Sequence, residues 1–376
     1  MTHPLPAQKI ALSMDATRHF PPDYRAARAN FLSACAAAGV GTTARVHPDA
    51  LGRDGKTLFL DTAVIGPRDA KSALLLISGT HGVEGYFGSA AQTGMLREGV
   101  LAAPPGAKIV LLHALNPYGF SFDRRVNEDN ADINRNFVDH SSPPANEDYA
   151  ALAEWIAPKD LAPAALKAAN AKLKAYAKAH GDFALQEAIS KGQYAFADGL
   201  YYGGATQSWS ARMLREVVSE ELGALERLIV IDFHTGLGPH GHGEMISEDL
   251  PGSPAYARAK AMWGARVRSS EAGESVSAPL TGTIDKAFAR WLDGIELTFA
   301  AIEAGTVSTR ETFQALRRDN WLYAVAKGDD PLAEDIRRDI RAAFNPDTDA
   351  WKMMVWPQAV EVTRAALAAL NAKGIR

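Results

Sequence analysis

The sequence predicts an α/β protein, a mixed and largely parallel twisted sheet flanked by helices, in a single domain spanning residues 1–376. Three observations carry that expectation. Apolar, β-branched runs of strand length occur at TLFLDTAVI (57–65), SALLLIS (72–78), KIVLLHAL (108–115), RLIVIDF (227–233) and GIELTFAAIEAG (294–305). Segments with helical spacing fall between or beside them: YRAARANFLSACAAAG, EGYFGSAAQTGMLREG, SARMLREVVSEELGAL and IDKAFARWL. Finally, the runs are apolar throughout, so the sheet needs cover on both faces.

Taken in chain order, the second run raises the first chemical question. SALLLIS leads into GTHGVEG, where His81 and Glu84 stand three apart among Gly79, Gly82 and Gly85. A strand of this kind delivers its last residues to the sheet edge, where α/β proteins build sites beyond the strand ends. The glycines let the chain turn sharply and a ligand approach. A lone His-x-x-Glu is equally a salt-linked loop.

KIVLLHAL follows, with His113 expected to be a hydrogen-bonded core residue, and then the loop NPYGFSFDRRVNEDNADINRNF (116–137). Its NPYG start is a turn signal. Arg124, Arg125 and Arg135 suit a substrate carboxylate or a developing oxyanion. Taken alone, however, they read first as loop glue for Asp123, Glu128, Asp129 and Asp132. Residues 141–206, from SSPPANED through an Ala- and Lys-rich stretch, read as an exposed helical insertion with Lys167, Lys172, Lys174 and Lys178 on a solvated face. A lid or a subunit contact is the alternative. Tyr201 and Tyr202, in GLYYGG, suit a cleft lining or a core equally.

The run LIVIDF ends on His234, so a second imidazole stands at the edge of an apolar strand. Two histidines and one carboxylate form the donor set of catalytic zinc, which keeps a fourth position open. In GIELTFAAIEAG, Glu303 falls at the strand end, where a buried acid must be paired, protonated or functional. Beside an activated water it can act as general base. Glu296 reads as structural, and His240, His242 and Glu244 read as incidental to a glycine-rich turn. From about residue 310 the chain reads as helices, broken at Gly328 and near Pro346, with Pro357 kinking or ending another.

Composition excludes several classes. Hydrophobic residues at 47% and charged residues at 22% are globular values, and the net charge of −4 leaves no basic footprint for nucleic acid. Small or peptidic partners are favoured. The single cysteine, Cys35, forbids an intramolecular disulfide and a cysteine zinc cage, so any metal must use histidine and carboxylate. The start, MTHPLPAQKIALSMDATRHF, lacks a leader pattern and no apolar run is long enough to span a bilayer, so a cytoplasmic, non-membrane protein is expected. GLGPHG (236–241) formally fits a dinucleotide fingerprint, but Pro239 interrupts it and no acid follows at the ribose position. No G-x-S-x-G elbow occurs.

With these pieces in order, the phrases SGTHGVEG, DINRNF, DFHTGLG and IEAGT resemble the carboxypeptidase A superfamily of zinc peptidases, the funnelins, and within it a bacterial branch labelled a domain of unknown function. The resemblance spans roughly residues 60 to 310. It implies a carboxypeptidase A-like fold and one zinc ion held by His81, Glu84 and His234. It also implies Glu303 as catalytic base, Arg125 polarising the scissile carbonyl, and Asn134 with Arg135 gripping a substrate carboxylate. Asp132 would hold a zinc-bound imidazole. The Arg124-Arg125 doublet leaves the upstream arginine open by one position, so Arg124 stands as a second substrate-binding candidate. The implied activity is cleavage of a peptide with a free carboxylate. Deacylation of an N-acyl amino acid is the alternative, and a non-catalytic peptide-binding module is the third reading.

Overall fold

The computed structural model describes residues 15–371. The N-terminal stretch read above for a leader pattern lies, up to residue 14, outside the described residues. In order, the elements are α1 (Tyr24–Ala37), β1 (Thr42–Leu51), β2 (Thr57–Ile65), β3 (Ser72–Ser78), α2 (Gly85–Arg97), β4 (Ala107–His113), α3 (Pro117–Phe122), α4 (Glu147–Ile156), α5 (Pro163–His180) and α6 (Asp182–Ser190). There follow α7 (Trp209–Val217), β5 (Arg227–Thr235), β6 (Gly243–Ser247), α8 (Pro254–Trp263), β7 (Val267–Ser269), α9 (Ile284–Trp291), β8 (Glu296–Ala304), α10 (Thr309–Ala324), α11 (Ala333–Phe344) and α12 (Asp349–Asn371).

The eight strands form one sheet in the order β1-β2-β4-β3-β5-β8-β6-β7. The central four, β4, β3, β5 and β8, are mutually parallel, while β2 and β6 join them antiparallel on either side. This is the mixed, helix-flanked sheet that the apolar runs predict. Period-two alternation divides each central strand between two cores. Leu74 and Leu76 of β3, with Ile229 and Ile231 of β5, face a cluster closed by α1, α2, α8 and α12. Leu75 and Ile77, with Leu228 and Val230, face the opposite cluster under α7 and α9.

Three strands escape the sequence reading, each for a physical reason. β1 (TTARVHPDAL) is an edge strand with a largely exposed surface, so it has no apolar face to signal it. β6 and β7 are only five and three residues long. The C-terminal region is helical with a left-handed break at Gly328 (φ 80°), as expected, but Pro357 neither ends nor divides a helix. It lies inside α12, which continues to Asn371.

Residues 141–206 do form helices, α4 to α6, and their lysines Lys167, Lys172, Lys174 and Lys178 are exposed. The segment is nevertheless no loose appendage. Tyr149, Leu152, Ile156, Leu173 and Ile189 share a buried cluster with Leu316, Ile340 and Phe344 of the C-terminal helices. No described helix is long and apolar enough to cross a membrane.

Candidate metal centre and active site

The parallel strands set the place. From β3 the chain passes to β4 on one side and later to β5 on the other, so a crevice opens where the connections part, at the carboxyl ends of β3 and β5. His81 leaves β3 there. His234 lies in β5 directly opposite Glu303 of β8. In parallel neighbours paired residues share a face, so the second histidine and the acid are delivered side by side.

Glu84 arrives on a one-turn 3-10 helix, Gly82–Glu84, that leads into α2. This turn is clamped to the arginine loop. Gly82 and Val83 donate their N–H groups to the carbonyls of Arg125 (3.2 Å) and Arg124 (2.8 Å). A Cβ on Gly82 would stand 2.0 Å from the Gly119 carbonyl carbon, so only glycine permits the approach.

The three candidate ligands converge. His81 Nδ1 is 3.0 Å from Glu84 Oε1, and His234 Nδ1 is 3.0 Å from Glu84 Oε2 and 3.1 Å from His81 Nδ1. All three residues are buried. Ligands about 2.0–2.1 Å from a tetrahedral zinc stand about 3.3 Å apart, so two imidazole nitrogens and a carboxylate at these spacings fit such an ion. Each imidazole is also held from behind by a carboxylate: Asp132 Oδ1 lies 3.0 Å from His81 Nε2, and Asp232 Oδ2 lies 2.8 Å from His234 Nε2. Carboxylates so placed fix the tautomer that leaves Nδ1 free to bind a metal. Burial disfavours the Glu84 anion, yet His81, His234 and Arg125 together hold its carboxyl well below the usual range.

Arg125 belongs to this shell. It donates Nη1–H to Glu84 Oε1 (2.8 Å) and Nε–H to Asp132 Oδ2 (3.0 Å). Burial opposes its charge, but Asp132 and Glu84 outweigh burial and raise its pKa further. Arg124 goes elsewhere. It pairs with Asp319 (3.1 Å) and lies over the Tyr323 ring at 3.9 Å, so the structure does not bring this candidate into the cavity.

Asn134 and Arg135 do line the cavity. Asn134 Oδ1 accepts the Ile284 N–H (2.9 Å), which anchors the residue and leaves its amide nitrogen uncommitted. Arg135 donates Nε–H and Nη2–H to the Ser190 carbonyl (3.0 and 2.7 Å) and Nη1–H to its neighbour's carbonyl (2.7 Å). The insertion therefore fixes this guanidinium. Glu303 accepts the Leu237 N–H (2.8 Å), and burial together with the neighbouring Glu84 pushes its carboxyl up to about 8.

The cavity encloses about 100 Å³ and joins these groups to apolar walls, Leu237, Ile246, Phe299 and Phe344 among them. Its rim also carries Glu248, with Lys286 at 3.2 Å from its carboxylate, and Asp285. His113 is a core residue bonded to Ser89 and stacked on Phe31, and Glu296 pairs with Arg227. His240 donates Nδ1–H to the Thr306 carbonyl (2.6 Å), and Glu244 accepts from Ser275 and Val276, all outside the cavity lining.

Asp232 is the residue the sequence reading missed. The reasoning that singled out Glu303, an acid inside an apolar strand, applies equally to the acid of LIVIDFH, and its place two residues before His234 puts both on one face.

Fold and site together define a class, an α/β protein with a buried His-Glu-His centre at the carboxyl edge of a mixed sheet. The chain belongs to the family described as Protein of unknown function (DUF2817), which matches residues 20–358. No curated protein matches it. Solved structures with similarity include a metallo-carboxypeptidase from Burkholderia cenocepacia (12% identity, 92% of this chain and 70% of that one, TM-score 0.40). Others are the carboxypeptidase A of Helicoverpa armigera (12%, 86% and 74%, 0.41) and an aspartoacylase family protein from Mesorhizobium loti (16%, 76% and 67%, 0.37).

Proposed function

We propose that the protein is a zinc-dependent amide hydrolase acting on a peptide with a free carboxylate, in the manner of a carboxypeptidase. The observation that carries this reading is the convergence of His81, Glu84 and His234 with Glu303 directly opposite His234. A divalent ion bound by those three supplies Lewis-acid activation of a water and of the amide carbonyl. Glu303, held with a raised pKa, takes the attacking water's proton and returns it to the leaving nitrogen. Arg125 contributes fixed positive charge where the oxyanion develops. Asn134 and Arg135 hold the substrate carboxylate, the guanidinium being oriented in advance by Ser190.

A second reading, deacylation of an N-acyl amino acid, is favoured by the confined cavity, which suits a compact substrate. Both readings take a small carboxylate-bearing molecule, with no nucleic acid or membrane partner, and are compatible with a cytoplasmic setting. Dipeptides, longer peptides and N-acyl amino acids, assayed with zinc and with a chelator, decide between them. Chelator-sensitive release of amino acid supports hydrolysis. A metal-loaded protein that binds these compounds and cleaves none would be a binding module instead.

A further inference from the structure

Tyr201 enters the catalytic cavity on a backbone that few bulky residues adopt. Its φ is 53°, in the left-handed region where Cβ crowds the chain. Such a conformation persists only where the surroundings impose it. Gln193 does so here: its side-chain carbonyl accepts from Ala195 (3.1 Å) and Phe196 (2.8 Å), its amide donates to the carbonyls of Phe196 (2.7 Å) and Leu200 (3.2 Å), and its backbone N–H donates to the carbonyl of Tyr201 (3.1 Å). On the other side, the Tyr202 carbonyl accepts the Asp132 N–H (2.7 Å), which ties the loop to the metal-centre aspartate.

The side chain so placed lines the cavity with His81, His234 and Glu303. The guanidinium carbons of Arg125 and Arg135 lie 5.5 and 5.6 Å from its ring centre, within the range in which an aromatic face attracts a cation. The ring thus steadies two like charges that would otherwise repel. Its hydroxyl stands apart from the other hydroxyls of the cavity. Those of Ser190, Thr235, Ser277 and Thr312 all donate to backbone carbonyls. Tyr201 alone among the described cavity hydroxyls has no hydrogen-bond partner, and burial keeps it protonated as a donor. Arg125, meanwhile, already donates to Glu84 and Asp132. A half-buried phenol that lines the cavity with no protein partner keeps its O–H free to donate to a ligand there.

We propose that Tyr201 is a further catalytic residue, its hydroxyl donating a hydrogen bond to the oxyanion that develops on the scissile carbonyl while its ring aligns Arg125 and Arg135. This rests on the hydrolase reading above. Tyr201→Phe keeps the ring and removes only the donor. In the full-length, zinc-loaded protein it lowers kcat about 100-fold, as loss of one oxyanion donor does, with KM moved less than about twofold and zinc content unchanged. Calorimetric affinity for a phosphonate isostere of the cleaved amide falls in parallel, while affinity for the product amino acid does not. A kcat within about threefold of wild type, or a rise in KM alone, overturns the assignment. If wild-type protein cleaves no amide, the hydrolase reading fails by itself. The phosphonate titration then judges Tyr201, and equal affinities of wild type and variant, or no binding by either, overturn it.

Discussion

At the scale of single residues the centre is a set of groups with separable jobs. Glu303 makes no contact that a metal ligand needs, and its one hydrogen bond, from Leu237, survives in the amide. Glu303→Gln is expected to retain zinc at wild-type stoichiometry and to lose at least about 100-fold in kcat, the usual worth of a general base, as metal analysis beside steady-state kinetics will show. Arg135→Ala removes a guanidinium held by Ser190 and is expected to raise KM for carboxylate substrates about tenfold or more, with a smaller change for the corresponding amides. Asp232→Asn leaves the His234 ring with a poorer partner behind it, and zinc affinity is expected to fall about 10- to 100-fold in competition with a chromogenic chelator.

His113 supplies a pH signature far from the metal. Burial, aided by Arg28, lowers its pKa from 6.5 to about 3, so the folded state prefers the neutral ring. The stability this represents is fully present above pH 6.5 and is lost as pH falls toward 3, up to about 5 kcal/mol over the whole interval. His113→Gln should therefore show a shallower decline in unfolding free energy, taken from urea titrations, between pH 7 and 4.5, flatter by about 2–3 kcal/mol. A decline of equal slope in the two proteins rules this source out.

At the scale of elements, position matters more than composition. His81, Glu84, His234 and Glu303 come from three parallel strand ends and one helical turn, and the turn holds its place because Gly82 lets the chain touch the arginine loop. Gly82→Ala must push the His81–Glu84 turn away from Gly119, so zinc affinity is expected to fall even though no ligand is changed, measured by the same chelator competition. The insertion is the other element with an unexpected task. Its lysine-bearing helices are solvated, yet its returning strand of chain supplies the Ser190 carbonyl and the Tyr201 ring to the cavity.

On the scale of the whole molecule, the ligands are close-packed but drawn from residues 81 to 234 in sequence, so a bound ion bridges distant parts of the chain. Binding to the folded form alone stabilises it by RT ln(1 + [L]/Kd), about 4 kcal/mol at a thousandfold excess over Kd. Zinc is therefore expected to raise the thermal midpoint by several degrees, and the increment should vanish in His234→Ala. A midpoint indifferent to zinc and chelator would remove the metal centre from consideration.

The five apolar runs, the helices between them and the four residues of the candidate centre were legible in the sequence because each rests on local physics. A strand buried on both faces must be apolar along its length, and an acid or imidazole at the end of one stands out against it. What escaped was whatever depends on a neighbour in space. β1 has no buried face to signal it, and Asp232, an acid inside an apolar strand as Glu303 is, gains its role behind a ligand only where the fold sets its carboxylate 2.8 Å from His234 Nε2. The choice between Arg124 and Arg125 turns on which side of one loop meets the ligands, and Tyr201 reaches the cavity only because Gln193 bends its loop. By itself the sequence determined the layers and the donor types, since burial and chemistry are properties of residues. Only the tertiary structure decided which donors meet, because strand order and register, which the chain settles through long-range packing, choose the partners of each side chain.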